Sequence, residues 1–357
     1  MSTIAAAVSP MTRRTIQRLV IWPSRLITVV LTLLFATGLT VPTWVQFIPL
    51  GASLVVFGLP HGAVDHLIVA RLMGYPTGRR LIGLIVAAYL ALAAGYLAIW
   101  ASTPAVAFVL FIALTWYHRG QGDLATLLTV ENGSYLRTRT QRGLTLIVRG
   151  GLPMLIPLLS APDAYRDVAT DSIGVFQPDA ARYVDWAFDD GVRLATGIVF
   201  ALFVLGALLI TDRGPTSAER PVWLANVADT VLLVFFFLIV PPILAIGIYF
   251  CCWHSTRHIA RMIQLGVGSA SPLQDGHIGM GLLRFGRAAA LPTIAALALL
   301  AGLGVGVPYT PDGLSGLTGL YLVGLSLLTL PHTLVVTWLD RYEGIWRRSD
   351  GGSARPG

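Results

Sequence analysis

The residues Trp253-His254-Ser255-Thr256-Arg257-His258 place two imidazoles four positions apart inside a long apolar run that should be helical. At that spacing two histidines share one helix face, one turn apart, and can hold a single metal ion. The run reaches back to about Val231, which would set the pair at membrane depth, where an ionisable side chain is rare and marks function by default. Of the seven histidines in the chain, His277 lies in a polar stretch beside Asp275 and reads as a surface residue. The other six, His61, His66, His118, His254, His258 and His332, fall in apolar segments.

Carboxylates accompany two of them. In Pro60-His61-Gly62-Ala63-Val64-Asp65-His66, Asp65 follows His61 by one helical turn on the same face, whereas His66 is rotated by roughly 140°. One histidine can thus ligate while the carboxylate orients it from behind, as metal sites usually require. Pro60 and Gly62 point to a kink or close packing there. His118 stands in Trp116-Tyr117-His118-Arg119-Gly120-Gln121-Gly122-Asp123, with Asp123 nearby. His332 follows Pro331, a bend signal, and fits either a ligand or a group that orients a proton and substrate. A lone histidine in a membrane helix can equally be a hydrogen-bonded packing residue, a role that does not account for six at one depth. Neutral imidazoles suit iron, copper, zinc and nickel alike, so ligand type leaves the metal open. Four of them leave a divalent ion its full charge and up to two octahedral positions, which fits oxygen activation by iron. Phe57, Trp116, Tyr117, Tyr249, Phe250 and Trp253 could line an apolar tunnel, although packing and interfacial anchoring are the more ordinary uses of such residues.

The composition is that of a polytopic membrane protein: 55% of the 357 residues are hydrophobic and only 12% charged, with a mean hydropathy of +0.72. All 25 basic residues are arginine. The absence of lysine excludes a Schiff-base mechanism and hence a retinal-binding opsin. A net charge of +7 would suit nucleic acid, but the arginines lie in short segments between apolar runs, so no nucleic-acid partner is expected. Cys251 and Cys252 are adjacent, which closes no ordinary disulfide and fits no zinc spacing, and they read as packing residues. The first apolar run begins near Leu26, behind Arg13, Arg14, Arg18 and Arg25, and lacks the small-residue site of a cleavable signal.

Taking about 20 apolar residues per crossing, the chain offers about ten spans, near 25–42, 44–71, 81–100, 104–128, 141–160, 191–211, 222–241, 242–264, 281–303 and 314–340. A single kinked segment at Pro241-Pro242 would leave nine. Arginine concentrates in alternate connections, among them Arg79 and Arg80, Arg137 and Arg139, Arg213 and Arg220, and Arg284 and Arg287. The positive-inside rule then puts both termini in the cytoplasm. The expected fold is an all-α, polytopic transmembrane bundle in the cell membrane. It divides into a cytoplasmic N-terminal segment (1–24), a transmembrane catalytic domain (25–342) and a disordered C-terminal tail (343–357). The six histidines fall on even-numbered spans, in their cytoplasmic halves. The long acidic outer connection, 161–190, has no expected chemical role.

The blocks Pro60-His61-Gly62-Ala63-Val64-Asp65-His66, Trp253-His254-Ser255-Thr256-Arg257-His258 and Pro331-His332 resemble, in order, those of the Brp/Blh family of membrane-embedded β-carotene 15,15′-dioxygenases. The similarity runs from about residue 44 to 342. It implies an iron(II) centre, Fe(2+), outside any haem, and O₂-dependent cleavage of the central double bond of β-carotene into two molecules of retinal. By position, the resemblance implies His61, His118, His254 and His258 as ligands, with Asp65, His66 and His332 near the site without necessarily touching iron; Asp123 and Asp229 are, with Asp65, candidates to support the ligands from behind, Asp229 equally marking the start of the seventh span. Around His118, Arg119-Gly120-Gln121 replaces a more apolar aromatic and glycine pattern. The resemblance further implies that carotenoid enters from the lipid bilayer, that positioning selects the central bond, and that a retinal-binding opsin, where present, would receive the product. Membrane di-iron desaturases carry about eight histidine ligands or more, beyond the seven here. The alternative is a haem-binding or metal-transporting membrane protein.

Overall fold

The computed structural model describes residues 9–75, 78–209, 214–265 and 278–347, which form twelve helices. They are α1 (Pro10–Ala36), α2 (Thr43–Met73), α3 (Arg79–Ser102), α4 (Pro104–Thr129), α5 (Arg139–Ser160) and α6 (Pro162–Gly174), followed by α7 (Pro178–Phe188), α8 (Asp190–Leu209), α9 (Arg220–Ile239), α10 (242–264), α11 (Ile278–Gly306) and α12 (Gly313–Glu343). Among the described residues there is no strand.

Local chemistry fixes the ends. Proline, whose missing N–H costs nothing in a first turn, opens α1, α4, α6, α7 and α10. Thr138 and Gln141 form a reciprocal capping box at the start of α5. At the other end of α2, Gly74 takes the left-handed conformation (φ 70°) that stops a helix without a Cβ clash.

Eight of the helices are long and apolar enough to cross a membrane. Several show apolar side chains outward, as lipid-facing helices do: Leu194, Leu202 and Leu209 on α8, and Leu291 and Val305 on α11. The remaining long stretches, α4 and α10, are more polar. They lie inside the bundle and carry His118, His254 and His258; eight crossings rather than the expected ten are thus found among the described residues.

Three boundaries differ from the sequence expectation. The first helix begins at Pro10 rather than near residue 25, because Ser9 caps it. Thr12, Ile16 and Ile21, within the segment expected to precede the bundle, are buried. The outer connection 161–190 folds into α6 and α7, whose Ala169, Ile173, Ala180, Val184 and Phe188 pack with Trp100 and Phe108. Residues just after α12, assigned by sequence to the tail, pack on α5: Ile345 is buried and its carbonyl accepts from Arg142 at 2.8 Å. His277, Arg213 and the rest of the tail from Arg348 lie outside the described residues.

Candidate metal centre

Five buried histidines converge from four helices: His61 of α2, His118 of α4, His254 and His258 of α10, and His332 of α12. Their ring centroids lie 4.6 Å apart for His118–His332, 5.0 Å for His61–His332, 5.1 Å for His258–His332 and 6.5 Å for His254–His258. The Nε2 atoms of His118 and His254 are 3.1 Å apart. His66 stands apart from the cluster, half-buried, its Nδ1 bonded to the Ala63 carbonyl at 3.1 Å.

Two slipped turns aim the rings. Ser53–Phe57 is a π-helical turn that leads into the short segment bearing His61, and Tyr249–Ser255 is another that contains His254. The two turns pack on each other. Such turns widen a helix by one residue and recur at functional sites. They approach closely because Gly58 has no side chain: a Cβ there would lie 2.5 Å from the Ser53 carbonyl oxygen and 2.8 Å from the Phe250 ring.

Glycine also sets the position of His118. A Cβ on Gly120 of α4 would lie 2.2 Å from the Leu146 carbonyl oxygen of α5, and one on Gly150 of α5 would lie 2.0 Å from the Trp116 carbonyl oxygen of α4. The two helices therefore touch backbone to backbone on both sides of His118, the close approach that small residues allow in membranes. Gly122 leaves room for the His254 ring, which a Cβ would meet at 3.3 Å.

The polar residues behind the rings are arranged differently from the sequence expectation. Asp65 does not reach His61, because α2 breaks at Ala63-Val64 and the ideal one-turn relation is lost. Instead Asp65 accepts from His332 Nδ1 at 2.6 Å and from the Tyr89 hydroxyl of α3. His61 donates its Nδ1 proton to the Gly58 carbonyl, the backbone counterpart of the carboxylate expected there. Asp123 accepts from the Trp253 indole and lies 3.8 Å from Arg149. Asp229 pairs with Arg25 at 2.7 Å. Of the aromatic residues expected around a tunnel, Phe250 meets the histidines, edge-on to His61 at 5.7 Å and stacked on His254 at 6.1 Å. Trp116 serves the helix crossing instead, donating to the Ile147 carbonyl at 2.7 Å.

Buried arginines surround the cluster. The Arg119 guanidinium lies over the Tyr249 and Phe250 rings at 5.2 and 5.1 Å, and that of Arg257 lies 3.8 Å from the Trp253 ring centroid. No sequence signal pointed to Tyr89, since a tyrosine in an apolar helix has many commoner uses.

A metal ion suits this donor set. Buried polar atoms nearly always have partners, yet Nε2 of His61, Nε2 of His332 and both ring nitrogens of His258 have none. Two imidazole nitrogens held about 2.1 Å from one ion at near right angles stand about 3 Å apart, which is the His118–His254 separation. One nitrogen each from His61, His118 and His332 also lies within 4.8 Å of the others.

Membrane-crossing helices closing on a buried, all-imidazole cluster define an integral-membrane protein whose interior suits a metal ion. The profile of the β-carotene 15,15′-dioxygenase family matches residues 52–340, and the chain belongs to that family. It is 43% identical over 310 residues to the probable β-carotene 15,15′-dioxygenase Blh of Halobacterium salinarum strain NRC-1, covering 87% of this chain and 88% of the relative. It is 29% identical over 327 residues to the probable β-carotene 15,15′-dioxygenase Brp of the same species, strain R1, covering 87% and 88%. To the β-carotene 15,15′-dioxygenase of uncultured marine bacterium 66A03 it is 24% identical over 303 residues, covering 81% and 92%. No solved structure matches this chain.

Proposed function

We propose that this protein cleaves the central double bond of β-carotene with O₂, giving two molecules of all-trans-retinal, at an iron(II) ion held by His61, His118, His254 and His258. The observation that carries the proposal is the convergence of these buried imidazoles in a chain with the family membership above. Iron(II) bound there supplies the centre at which O₂ is activated. The residues of the chain do the rest. The Gly58 carbonyl keeps the proton of His61 on Nδ1 and so turns the Nε2 lone pair inward. Phe250 walls the cluster with an apolar ring and excludes water. Leu54, Leu59, Leu300, Tyr321 and Leu325 line a small apolar gap between α2, α11 and α12 with room for about one water molecule; a rigid polyene entering from the bilayer would have to part these helices. Fixing a rigid polyene beside the cluster would select one double bond over its neighbours by proximity. Two molecules of retinal together contain the atoms of one β-carotene and one O₂, so no side chain has to supply or remove a proton overall.

The arginine distribution supports a cell-membrane location with both termini in the cytoplasm, from which retinal would pass through the bilayer to a retinal-binding opsin. The haem alternative fits less well, because the His118 and His332 rings meet edge-to-face at a 4.6 Å centroid separation and leave no flat slot for a porphyrin between them. The test is expression in cells that accumulate β-carotene, with extracts analysed for retinal beside a His258→Ala control. Loss of orange colour with retinal appearing only for the unmodified chain is the expected result. Persistent colour in iron-replete membranes containing folded protein would overturn the proposal.

A further inference from the structure

Tyr89, Asp65 and His332 form a chain of hydrogen bonds that ends in the cluster. The Tyr89 hydroxyl donates to Asp65 Oδ2, and the same oxygen takes the Nδ1 proton of His332 at 2.6 Å. An ionised carboxylate only accepts. The His332 proton is therefore held on Nδ1, and the lone pair of Nε2 is left pointing the other way. That Nε2 is buried and has no protein partner. The His332 ring lies 4.6, 5.0 and 5.1 Å, centroid to centroid, from those of His118, His61 and His258. The ring is also seated from below: a Cβ on Gly62, the residue after His61, would stand 3.2 Å from its Nδ1. The break in α2 thus supplies both the carboxylate and the gap that hold His332 in place.

We propose that His332 is a fifth protein ligand of the iron, with Asp65 and Tyr89 as the positioning residues that fix its tautomer and orientation. The inference rests on the iron reading above and deepens it, since a fifth imidazole reduces the positions left to small molecules from two to one. Its geometry is the carboxylate–histidine–metal arrangement of metalloprotein sites, extended one step to a tyrosine on α3. Oδ2 of Asp65 is committed to two donors, so Asp65 acts here as the partner of His332, although one of its carboxylate oxygens lies within 4.8 Å of ring nitrogens of His258 and His332.

The test is metal binding by the purified full-length protein in detergent under anaerobic conditions. Co(II) is titrated in place of iron(II) and followed by its visible absorption, which reports the donors around the ion. The expected result is that His332→Ala binds Co(II) at least tenfold more weakly and with an altered spectrum. His332→Gly should recover both when imidazole is added. Asp65→Asn, which keeps the ring, should weaken binding by about tenfold or more, the usual effect of removing a ligand's outer partner, and Tyr89→Phe should weaken it less. An unchanged affinity and spectrum in His332→Ala would overturn the proposal while leaving the iron reading intact. If His332→Ala does not fold, an unaltered spectrum in Asp65→Asn would overturn it equally. Failure of the unmodified protein to take up either ion would remove the iron reading and this one together.

Discussion

The indole N–H of Trp253 donates to both carboxylate oxygens of Asp123, at 3.1 and 3.2 Å. This bond ties the slipped turn of α10 to α4 one residue before His254, while Gly122, the neighbour of Asp123, makes room for the His254 ring. Trp253→Phe removes the donor and keeps the apolar bulk. It should lower stability by about 1–3 kcal/mol, the cost of leaving a buried acceptor short of a partner, and lower metal affinity with it. Asp123→Ala should cost more, about 3–5 kcal/mol, because Arg149 then loses a buried carboxylate neighbour. Thermal unfolding in detergent measures both. Two variants as stable as the unmodified chain would show that the bond does not hold the turn.

The α4–α5 crossing gives a sharp contrast between glycines. Gly120→Ala and Gly150→Ala put a methyl group against backbone oxygens at 2.2 and 2.0 Å, which the helices can relieve only by separating. Each should destabilise by about 1–3 kcal/mol or more and reduce retinal formation by displacing His118. Gly143→Ala on the same helix meets nothing within 4 Å. It should be neutral or stabilise by about 0.5–1 kcal/mol through helix propensity. Melting temperatures of the three variants, together with retinal yield, separate packing from propensity.

The histidines should divide by position. Alanine at His61, His118, His254 or His258 should abolish both metal uptake and retinal formation. His66→Ala should leave both within about threefold, since that ring bonds only to the Ala63 carbonyl in the described structure and a lost exposed-side hydrogen bond is worth about 1 kcal/mol or less. Metal at a hundred times its dissociation constant should stabilise the unmodified protein by about 2.7 kcal/mol. Chelation should reverse that gain, and His258→Ala should show neither change. A metal-induced stabilisation that survives His258→Ala would place the ion elsewhere.

Arg25 tests whether α1 belongs to the bundle. It reaches Asp229 of α9 and Glu131 after α4, each at 2.7 Å, with all three side chains less than a fifth exposed. Arg25→Ala takes this cation from Glu131 and leaves Asp229 with only the longer Arg149 contact at 3.8 Å, and should cost about 3 kcal/mol. Arg14→Ala, one helical segment earlier, serves as the comparison. Equal melting temperatures for the two variants would argue against a structural role for the Arg25 pairs.

Much of this was legible in the sequence. Ten long helical stretches follow the ten expected runs, but among the described residues only eight are long and apolar enough to cross a membrane; α4 and α10 fall short because the polar residues of the site interrupt them, and the histidine-bearing stretches are those that meet in the interior. Hydropathy carries that information because lipid contact demands it of every outward face. What sequence did not disclose was where backbone departs from the ideal helix. Asp65 reads as a partner of His61 only if residues 61–65 stay helical, and the break at Ala63-Val64 turns it to His332 instead. Tyr89 is a contact between helices distant along the chain, with no local pattern to announce it. The early start of α1 was masked by Arg13, Arg14 and Arg18, which raise its polarity without stopping the helix that Ser9 begins. His332 was placed near the centre by Pro331-His332, but its orientation depends on two other helices.

Every buried cation around the cluster, including Arg119, Arg149, Arg257 and Arg261, is a guanidinium, and the chain contains no lysine at all. Aldehydes condense readily with the amine of a lysine to form imines. The guanidinium group stays protonated at any physiological pH and offers no such nucleophile. A protein that makes an aldehyde beside several buried positive charges would, with lysine in those places, tether its own product and inactivate itself turnover by turnover. With arginine the chain keeps the charge and the stacking on Tyr249, Phe250 and Trp253 and presents no lysine amine to an aldehyde.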